Sequence, residues 1–443
     1  MLDQLPPEIF GRVLEIATEA WGISFLPPVC LVSSVCHDVV LSTPSLWGIL
    51  VIDQRSSIPL LTQQLVKAKE TDLRITVGRK GVRALGDKHL RKFLPSLVAL
   101  SHNWVRVDIL TNLLSSASWA DMGRVEVLRL RFHEDFNRVV SAEKFFQVEA
   151  RQRNLHSFTA VSLPEQWITP FLTPRITYLE LERYGGMFDG NMPASTIHRY
   201  LSLTPNLHTL HLHNIYLLPF SGPKEPVFLP HLQNLDLSRV SNLTSLLLDL
   251  RAPALRTLTI RDCSVAQMTS IFSQWSQPSY LPTHLQYLEL ANCLLPQDIP
   301  LFIGFLARLP ALVRLTLFDT REIGEDLTSM PGARSAETDL FRALASPEGA
   351  GPVVGGWLCP SLMHLCIDAP LQIGDLLSVV RARGGTRTIM RGVGVPVSLR
   401  SVQGPFCSAG TVDEVAELRS YFVDPEDARC ICLACVFGTS VTV

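Results

Sequence analysis

Two histidines that alternate along one short segment are the first residues in this sequence that could do chemistry. They are His211 and His213 in "HTLHLH", and residues two apart in a β-strand point to the same face. Two imidazoles on one face could share a transition metal ion. No third ligand is visible nearby in the sequence. We therefore interpret the pair as two exposed histidines and predict no metal site.

Three cysteines crowd the C-terminal end, where "CICLAC" contains Cys430, Cys432 and Cys435. Zinc would need a fourth ligand, and Cys407, well upstream, is the only other cysteine near in sequence. Lipidation beside the apolar end of the chain is a second alternative. We predict instead that this segment packs as a cap over the preceding fold. Most of the ten cysteines lie in apolar patterns, which favours reduced, buried thiols.

Glu180 and Glu182 resemble a carboxylate pair for acid–base catalysis. No third catalytic element accompanies them, so we interpret them as solvated charges or as a docking site for a basic partner. The sequence contains no "GxSxG", no "HExxH" and no phosphate loop. The glycines of "RGGTRTIMRGVGVP", residues 383–396, match no nucleotide-binding pattern either. We predict a protein that is not an enzyme and that has no catalytic residue and no cofactor.

Composition excludes several partners. A net charge of −2, with 18 % charged residues, provides no overall field that would attract nucleic acid or an anionic membrane. Apolar runs fall short of the roughly 20 residues that span a bilayer, and the first residues lack a signal-peptide pattern. We expect a cytoplasmic or nuclear protein that contacts neither nucleic acid nor membrane.

The elements that must position these side chains are strands of a repeat. The pattern "LxxLxL" recurs mostly at intervals of about 20 to 30 residues, which is typical of leucine-rich repeats, and Cys263 and Cys293 complete the longer form "LxxLxLxxC". "DLRITV", "WVRVDIL" and "SLRSVQG" indicate further strands. The copies are "RVEVLRL", "NLHSFTA", "RITYLEL", "NLHTLHL", "HLQNLDL", "ALRTLTI", "HLQYLEL", "ALVRLTL" and "SLMHLCI".

Strand alternation turns this repeat into a surface. The second and third leucines of each copy point into the fold, and the residues between and beside them point outward. The outward set is mixed and polar, which favours recognition of a protein over a small-molecule pocket. As a candidate substrate face we name Arg129, Arg131, Tyr178, Glu180, Glu182, His211, His213, Asp236, Arg261, Tyr287, Glu289, Arg314 and Phe318.

The first 50 residues predict a small helical unit. The first helix follows Pro6 and Pro7 and is amphipathic, with one apolar row of Ile9, Val13, Ile16, Ala17 and Ala20. After a loop around "WGISFLPP", a second helix should end near Ser42, because Pro44 disfavours helical geometry in the residue before it. This helix is marked by Val29, Val32, Cys36 and Val39, and Leu46 and Trp47 should bury against both helices.

This unit resembles an F-box. "LPPEIFGRVLEIA" from Leu5 is similar to the opening of that motif, and "VCLVSSVCHDVVLSTPSLWGIL" from Val29 is similar to its closing part. The spacing of "CHDVVLSTPSLW" is close to that in F-box proteins common in mushroom-forming fungi, in which leucine-rich arrays often follow. Cys36 stands where the family usually has tryptophan.

The resemblance implies binding to the Skp-type adaptor of cullin-based SCF ubiquitin ligases. It also implies a non-catalytic role, in which the repeats hold a protein substrate for ubiquitin transfer. Some of the family's positions form the F-box core and others contact the adaptor. In this sequence they are Leu5, Pro6, Ile9, Val13, Leu14, Leu31, Pro44, Leu46 and Trp47.

The predicted architecture is α/β, with a small helical F-box followed by a curved leucine-rich-repeat solenoid that carries a parallel sheet on its concave face. We divide the chain into an F-box-like domain (1–50), a junction with degenerate first repeats (51–123), the repeat array (124–406) and a C-terminal cap (407–443). The array contains an insertion at 319–360 with a short helix at about 336–345. The alternative function is a leucine-rich scaffold that binds a protein without any link to ubiquitin.

Overall fold

The computed structural model describes residues 5–52, 57–77, 93, 95–110, 123–131, 154–184, 192–218, 226–275, 283–293, 298–318, 333–346, 357–368, 373–384, 396–404, 411–422 and 428–430. The chain is mixed α/β with parallel strands, as expected. It forms two compact units, residues 1–188 and 189–443. The domain boundaries drawn from the sequence at residues 50, 123 and 406 stay a prediction.

The first unit opens with four helices: α1 (Pro7–Trp21), α2 (Leu26–Cys30), α3 (Ser34–Ser42) and α4 (Pro44–Trp47). Helix α1 begins at a proline, carries Glu8 in its first turn, and ends at Gly22, which has a φ of +85° and donates its N–H to the Thr18 carbonyl. A 3₁₀ turn, Ile23–Phe25, leads into α2.

The predicted second helix is in fact two helices, α2 and α3. Ser33 interrupts it because its side chain accepts a hydrogen bond from the Cys36 N–H at 3.1 Å and so caps a new helix. Val29 therefore lies in α2 and Val32 in the turn that follows. The predicted end at Ser42 is confirmed, and Pro44 starts α4.

The four helices share one small apolar core. Leu46 is fully buried in it, which confirms its expected burial, whereas Trp47, also expected to be buried, packs against the core but stays half-buried. The core consists of Phe10, Leu14, Leu26, Cys36, Val39, Val40 and Leu46.

In the described part of the first unit, six parallel strands follow, each paired with the next along the chain. They are β1 (Ile49–Ile52), β2 (Leu73–Val77), β3 (Trp104–Leu110), β4 (Val127–Arg131), β5 (Ser157–Val161) and β6 (Tyr178–Tyr184). Helix α5 (Ile58–Ala68) joins β1 to β2, and α6 (Glu165–Ile168) lies between β5 and β6. The 3₁₀ turns are Ser101–Asn103 and Thr169–Phe171.

The described residues of the second unit contain eight parallel strands in one sheet: β8 (Thr209–Ile215), β11 (Asn234–Val240), β13 (Thr257–Arg261), β14 (Tyr287–Ala291), β15 (Arg314–Phe318), β16 (His364–Asp368), β17 (Ser401–Gly404) and β18 (Ala428–Cys430). Two minor parallel pairs accompany it. β7 (Met192–Pro193) pairs with β9 (Leu217–Leu218), and β10 (Val227–Phe228) pairs with β12 (Leu250–Arg251).

Helices separate most strands of the second unit. They are α7 (Ala194–Leu203), α8 (Leu243–Leu247), α9 (Val265–Trp275), α10 (Ile299–Leu306), α11 (Ala333–Ala345), α12 (Ile373–Gly384) and α13 (Val412–Ser420). Helix α11 falls within the predicted insertion, where the sequence indicated a shorter helix. The rest of 319–360, apart from residue 346 and residues 357–360, lies outside the described residues.

Within each unit, the register of the strand pairs follows the repeat. Equivalent positions of successive copies are Cα partners, as in Thr209 with Asn234 and Asn234 with Thr257. Leucines at the predicted inward positions, such as Leu235 and Leu258, are buried. All nine predicted copies are strands in the structure, and so are the three further segments. Within the described ranges, no helix is both long and apolar enough to cross a membrane.

Candidate interaction surfaces

Helix α1 presents two apolar rows, and the structure buries the row that the sequence did not single out. Phe10 and Leu14 face the core. Ile9 is 53 % exposed and Val13 is 49 % exposed, and Ile16 follows them on the same side. Apolar periodicity correctly predicted the helix, but it did not show which row would find partners in α3 and α4.

A second group of exposed apolar side chains lies on the turn between α2 and α3 and on α3 itself. Leu31 is 88 % exposed, and Val32 and Val35 are exposed as well. Helix α1 contacts α3, so both groups belong to one packed helical unit. We call the set of Ile9, Val13, Leu31, Val32 and Val35 the apolar helix patch.

The nine residues predicted for the F-box divide between surface and core. Exposed positions are Leu5, Pro6, Ile9, Val13 and Leu31. Leu14 and Leu46 are buried, whereas Pro44 and Trp47 are half-buried. The buried members hold the helices together, so only the exposed ones are free to contact a partner.

Trp47 is fixed on both sides. Its indole Nε1 donates a hydrogen bond to the Val40 carbonyl at 3.0 Å, and the Lys67 ammonium of α5 lies 3.9 Å from the ring centroid. Trp47 thereby joins α3 to α4 and α5. Cys36 is buried in the small core among larger apolar side chains.

The polar strand face of the first unit is held together by ion pairs and hydrogen bonds. The Arg131 guanidinium lies 2.7 Å from the Asp108 carboxylate, and Arg129 lies 3.9 Å from Glu180. Burial raises the pKa of Asp108, although Arg131 and Arg129 act in the opposite direction. The sequence analysis missed Asp108, which belongs to a degenerate strand without the leucine pattern.

The Glu180 carboxylate accepts hydrogen bonds from the Thr159 hydroxyl at 3.2 Å and from the Tyr178 hydroxyl at 2.9 Å. Both donors come from the strand face itself. Glu180 is thus a positioned acceptor among hydroxyls, consistent with a polar recognition surface.

The second unit has its own polar strand face, which contains His211, His213, Asp236, Arg261 and Glu289. The Arg261 Nε donates to Glu289 at 2.7 Å, and this hydrogen bond is the main reason why the pKa of Arg261 is raised. The remaining predicted members of this face are Tyr287 and Arg314, which are exposed, and Phe318, which is half-buried.

Some residues on these faces are less accessible than strand alternation predicts. Thr259 is buried although it points to the polar side. Its Cα partners on the two flanking strands are Asp236 and Glu289, whose longer side chains stand on both sides of it. Thr159, Thr316 and Cys366, at the same position of other copies, are buried as well. The polar faces are therefore formed mainly by the long side chains.

His211 and His213 have a third neighbour that the sequence analysis did not connect with them. One ring nitrogen each of His211 and His213 and one carboxylate oxygen of Asp236 lie within 4.8 Å of one another. The repeat could have predicted this neighbour, because His211 and Asp236 occupy the same position of consecutive copies. In the structure they are Cα partners. The prediction that His211 and His213 have no third ligand nearby is therefore wrong, because Asp236 lies beside them on the neighbouring strand.

The terminal cysteines are only partly described. Cys430 ends β18, whereas Cys407, Cys432 and Cys435 lie outside the described residues, so the predicted cap stays a prediction. In the array, Cys263 and Cys293 are buried, and their thiols approach backbone carbonyls of the preceding turn and strand. This position of the repeat is structural.

Comparison with known proteins gives no family for this chain. No protein-family model matches it, and no curated protein matches it.

Proposed function

We propose that this chain is the substrate-recognition subunit of an SCF-type ubiquitin ligase. The helical unit at residues 5–47 acts as an F-box that binds a Skp-type adaptor. The repeats form a curved leucine-rich-repeat solenoid that binds a protein substrate on its polar concave face. The observation that carries the proposal is the apolar helix patch, which exposes five large aliphatic side chains on a unit of four short helices.

Exposed apolar side chains in such number favour a partner that covers them. Removing apolar surface from water contributes roughly 25 cal/mol per Å². Single exposed leucines are ordinary on protein surfaces, but several exposed aliphatic side chains on one small helical unit are typical of interaction sites. The F-box resemblance of "LPPEIFGRVLEIA" and "CHDVVLSTPSLW" names the adaptor as that partner.

The polar strand faces suit the other half of this function. Arginines and carboxylates alternate on them with histidines and tyrosines, and polar, charged rims of this kind give specificity for a protein partner. In this proposal the chain catalyses no step of ubiquitin transfer. It raises the effective concentration of the substrate beside a conjugating enzyme that the cullin recruits, in the cytoplasm or the nucleus.

The alternative is a leucine-rich scaffold unrelated to ubiquitin, in which the strand faces bind a protein and the helical unit merely covers the first strands. Contacts from the helices to the strands favour this second view. Arg74 of β2 pairs with Glu19 of α1 at 2.6 Å, and α1 also packs against β1. The two functions differ in whether the apolar helix patch binds an adaptor.

Co-expression with the cognate Skp-type adaptor tests the proposal. We expect a stoichiometric complex on size exclusion. Leu31→Asp should weaken it at least about tenfold in a binding titration, because it places a charge in the centre of an apolar contact. Leu31 is almost fully exposed in the free chain, so the variant should fold normally.

Val66→Asp is the matched control. Val66 lies on α5 of the same unit and is 73 % exposed, but it stands outside the F-box-like segment. It should leave adaptor binding unchanged. Absence of any complex with the wild-type chain, or equal loss of binding in both variants, would favour the scaffold.

A further inference from the structure

The second polar strand face brings together three groups that are ordinary ligands of transition metals. His211 and His213 lie on β8 and point to the same side, and Asp236 of β11 is the Cα partner of His211. The two imidazole rings stand edge to face, with centroids 5.8 Å apart. One nitrogen atom of each ring and a carboxylate oxygen of Asp236 lie within 4.8 Å of one another.

These separations are close to those of a metal site. Zinc bonds to imidazole nitrogen and carboxylate oxygen measure about 2.0 to 2.2 Å, which places tetrahedral ligands about 3.4 Å apart. Side-chain rotations that move the donor atoms by about 1 Å would close the triad around an ion. The strand backbone, held by its ladder, would not need to move.

The carboxylate of Asp236 supplies an independent argument. Its Oδ1 atom is buried and has no hydrogen-bond partner. A buried carboxylate oxygen without a partner is unfavourable, and a bound cation is one of the few groups that can satisfy it. Arg261 of the neighbouring strand interacts electrostatically with Asp236, but its Nε hydrogen bond goes to the Glu289 carboxylate at 2.7 Å.

A second histidine pair, located just before strands β8 and β11, provides a comparison that lacks the carboxylate. His208 and His231 stack with centroids 5.8 Å apart, and both are exposed. Among the described residues, no carboxylate or thiol joins them in a potential metal-binding group. Proximity of two imidazoles therefore occurs twice in this unit, but a carboxylate completes only one of the pairs.

We propose that His211, His213 and Asp236 bind one divalent transition metal ion, with zinc as the best match to two nitrogens and one oxygen. Three protein ligands leave at least one coordination position for water or for a side chain of a bound protein. The proposal concerns the strand face alone and does not rest on adaptor binding.

Metal titration of the untagged full-length chain tests it. We expect one high-affinity zinc ion per chain by calorimetry. Cobalt should give the visible spectrum of a nitrogen- and oxygen-ligated ion without a thiolate charge-transfer band. Asp236→Asn keeps the shape of the side chain and should weaken zinc binding at least about tenfold, as should His211→Gln.

The double variant His208→Ala/His231→Ala is the matched control and should bind zinc like the wild type. A thiolate band would assign the metal to the terminal cysteines and overturn the proposal. Unchanged affinity in Asp236→Asn, or wild-type binding only at millimolar zinc, would also overturn it. Circular dichroism of each variant separates loss of a ligand from loss of fold, and the adaptor assay reports separately on the proposed function.

Discussion

The cysteines of the repeat show how strongly burial controls the chemistry of a single residue. Burial raises the pKa of the Cys263 thiol to about 12 and does the same for Cys359. Cys263 places its sulfur 3.2 Å from the Arg261 carbonyl, and Cys359 lies 3.4 Å from the Leu306 carbonyl. Both therefore act as small apolar residues with a weak donor, as the sequence pattern indicated.

Thiol reactivity should follow this burial. A thiol with a pKa of about 12 carries roughly a thousandfold less thiolate at pH 8 than one with the ordinary value of 9.0. We expect iodoacetamide at pH 8 to label the half-buried Cys30 before Cys263 and Cys359, which should stay unlabelled until the chain unfolds. Peptide mass spectrometry with and without urea measures the rates. Labelling of Cys263 as fast as Cys30 would contradict the structure.

Residue roles were predictable from the sequence only where local pattern decides them. The leucines of the strands and the cysteines of "LxxLxLxxC" were identified correctly, because strand alternation fixes their side. The burial of Phe10 in place of Ile9 was not predictable, since both rows of α1 are apolar and only the packing of neighbouring helices selects one. The contact of His211 with Asp236 depends on strand pairing, which a local pattern does not contain.

At the scale of elements, Gly48 marks the passage from the helical unit to the first strand. It follows α4, and its carbonyl accepts a hydrogen bond from the Arg74 N–H at 2.9 Å. A Cβ atom at this position would lie 2.6 Å from the backbone oxygen of Asp72. The clash would be between a side-chain atom and backbone, and neither chain segment can shift easily. Only glycine therefore allows this close approach.

Substitution of Gly48 should therefore destabilise the first unit. We expect Gly48→Ala to lower its free energy of unfolding by about 1 to 3 kcal/mol, because the added methyl group meets backbone. Gly11→Ala is the matched control: Gly11 lies within helix α1, and a Cβ there would meet the Thr43 side chain at 3.7 Å, an ordinary van der Waals distance. It should raise stability by about 0.5 to 1 kcal/mol. Urea unfolding followed by tryptophan fluorescence measures both, and equal effects of the two variants would contradict the proposed close approach.

Arg383 shows why a basic residue in a glycine-rich segment cannot be assigned from sequence. The pattern "RGGTRTIMRGVGVP" indicated a basic stretch, but Arg383 ends helix α12 fully buried. Its guanidinium donates to the carbonyls of Leu344, Leu358 and Cys359. Burial lowers its pKa to about 10, which leaves it charged at neutral pH. These acceptors come from the end of α11 and the segment before β16. The fold alone brings them to Arg383, so its role in joining these segments cannot be read from the local sequence.

At the scale of the whole molecule, the sequence repeat was enough to predict most of the strands. Each predicted copy became a parallel strand, and successive copies pair at equivalent positions. Other features depend on contacts remote in sequence. They include the minor pairs β7–β9 and β10–β12 and the third ligand candidate at Asp236. The division of the second predicted helix at Ser33 is instead a local capping effect, in which the Ser33 side chain accepts a hydrogen bond from the Cys36 N–H. A strand of two residues is too short to show an alternating apolar pattern, so it cannot be predicted from the sequence. Whether it forms depends on its pairing partner in the neighbouring copy of the repeat.

If the second unit is a leucine-rich-repeat solenoid, a core substitution should destabilise mainly its own repeat and the adjacent ones, because each repeat contacts mainly its neighbours. Leu258 is fully buried in the middle of β13, which pairs with β11 and β14. Leu258→Ala should lower the local stability by about 2 to 5 kcal/mol. We expect native-state hydrogen exchange to accelerate in β11, β13 and β14.

The amides of β16 and β17, separated from β13 by at least two further strands, provide the internal control and should keep most of their protection. A similar acceleration at every strand would instead identify the unit as a single cooperative core, in which each leucine stabilises all strands equally. In a solenoid, loss of one buried leucine weakens one segment of the polar strand face. A partner that binds at a distant repeat should then bind Leu258→Ala nearly as tightly as it binds the wild type.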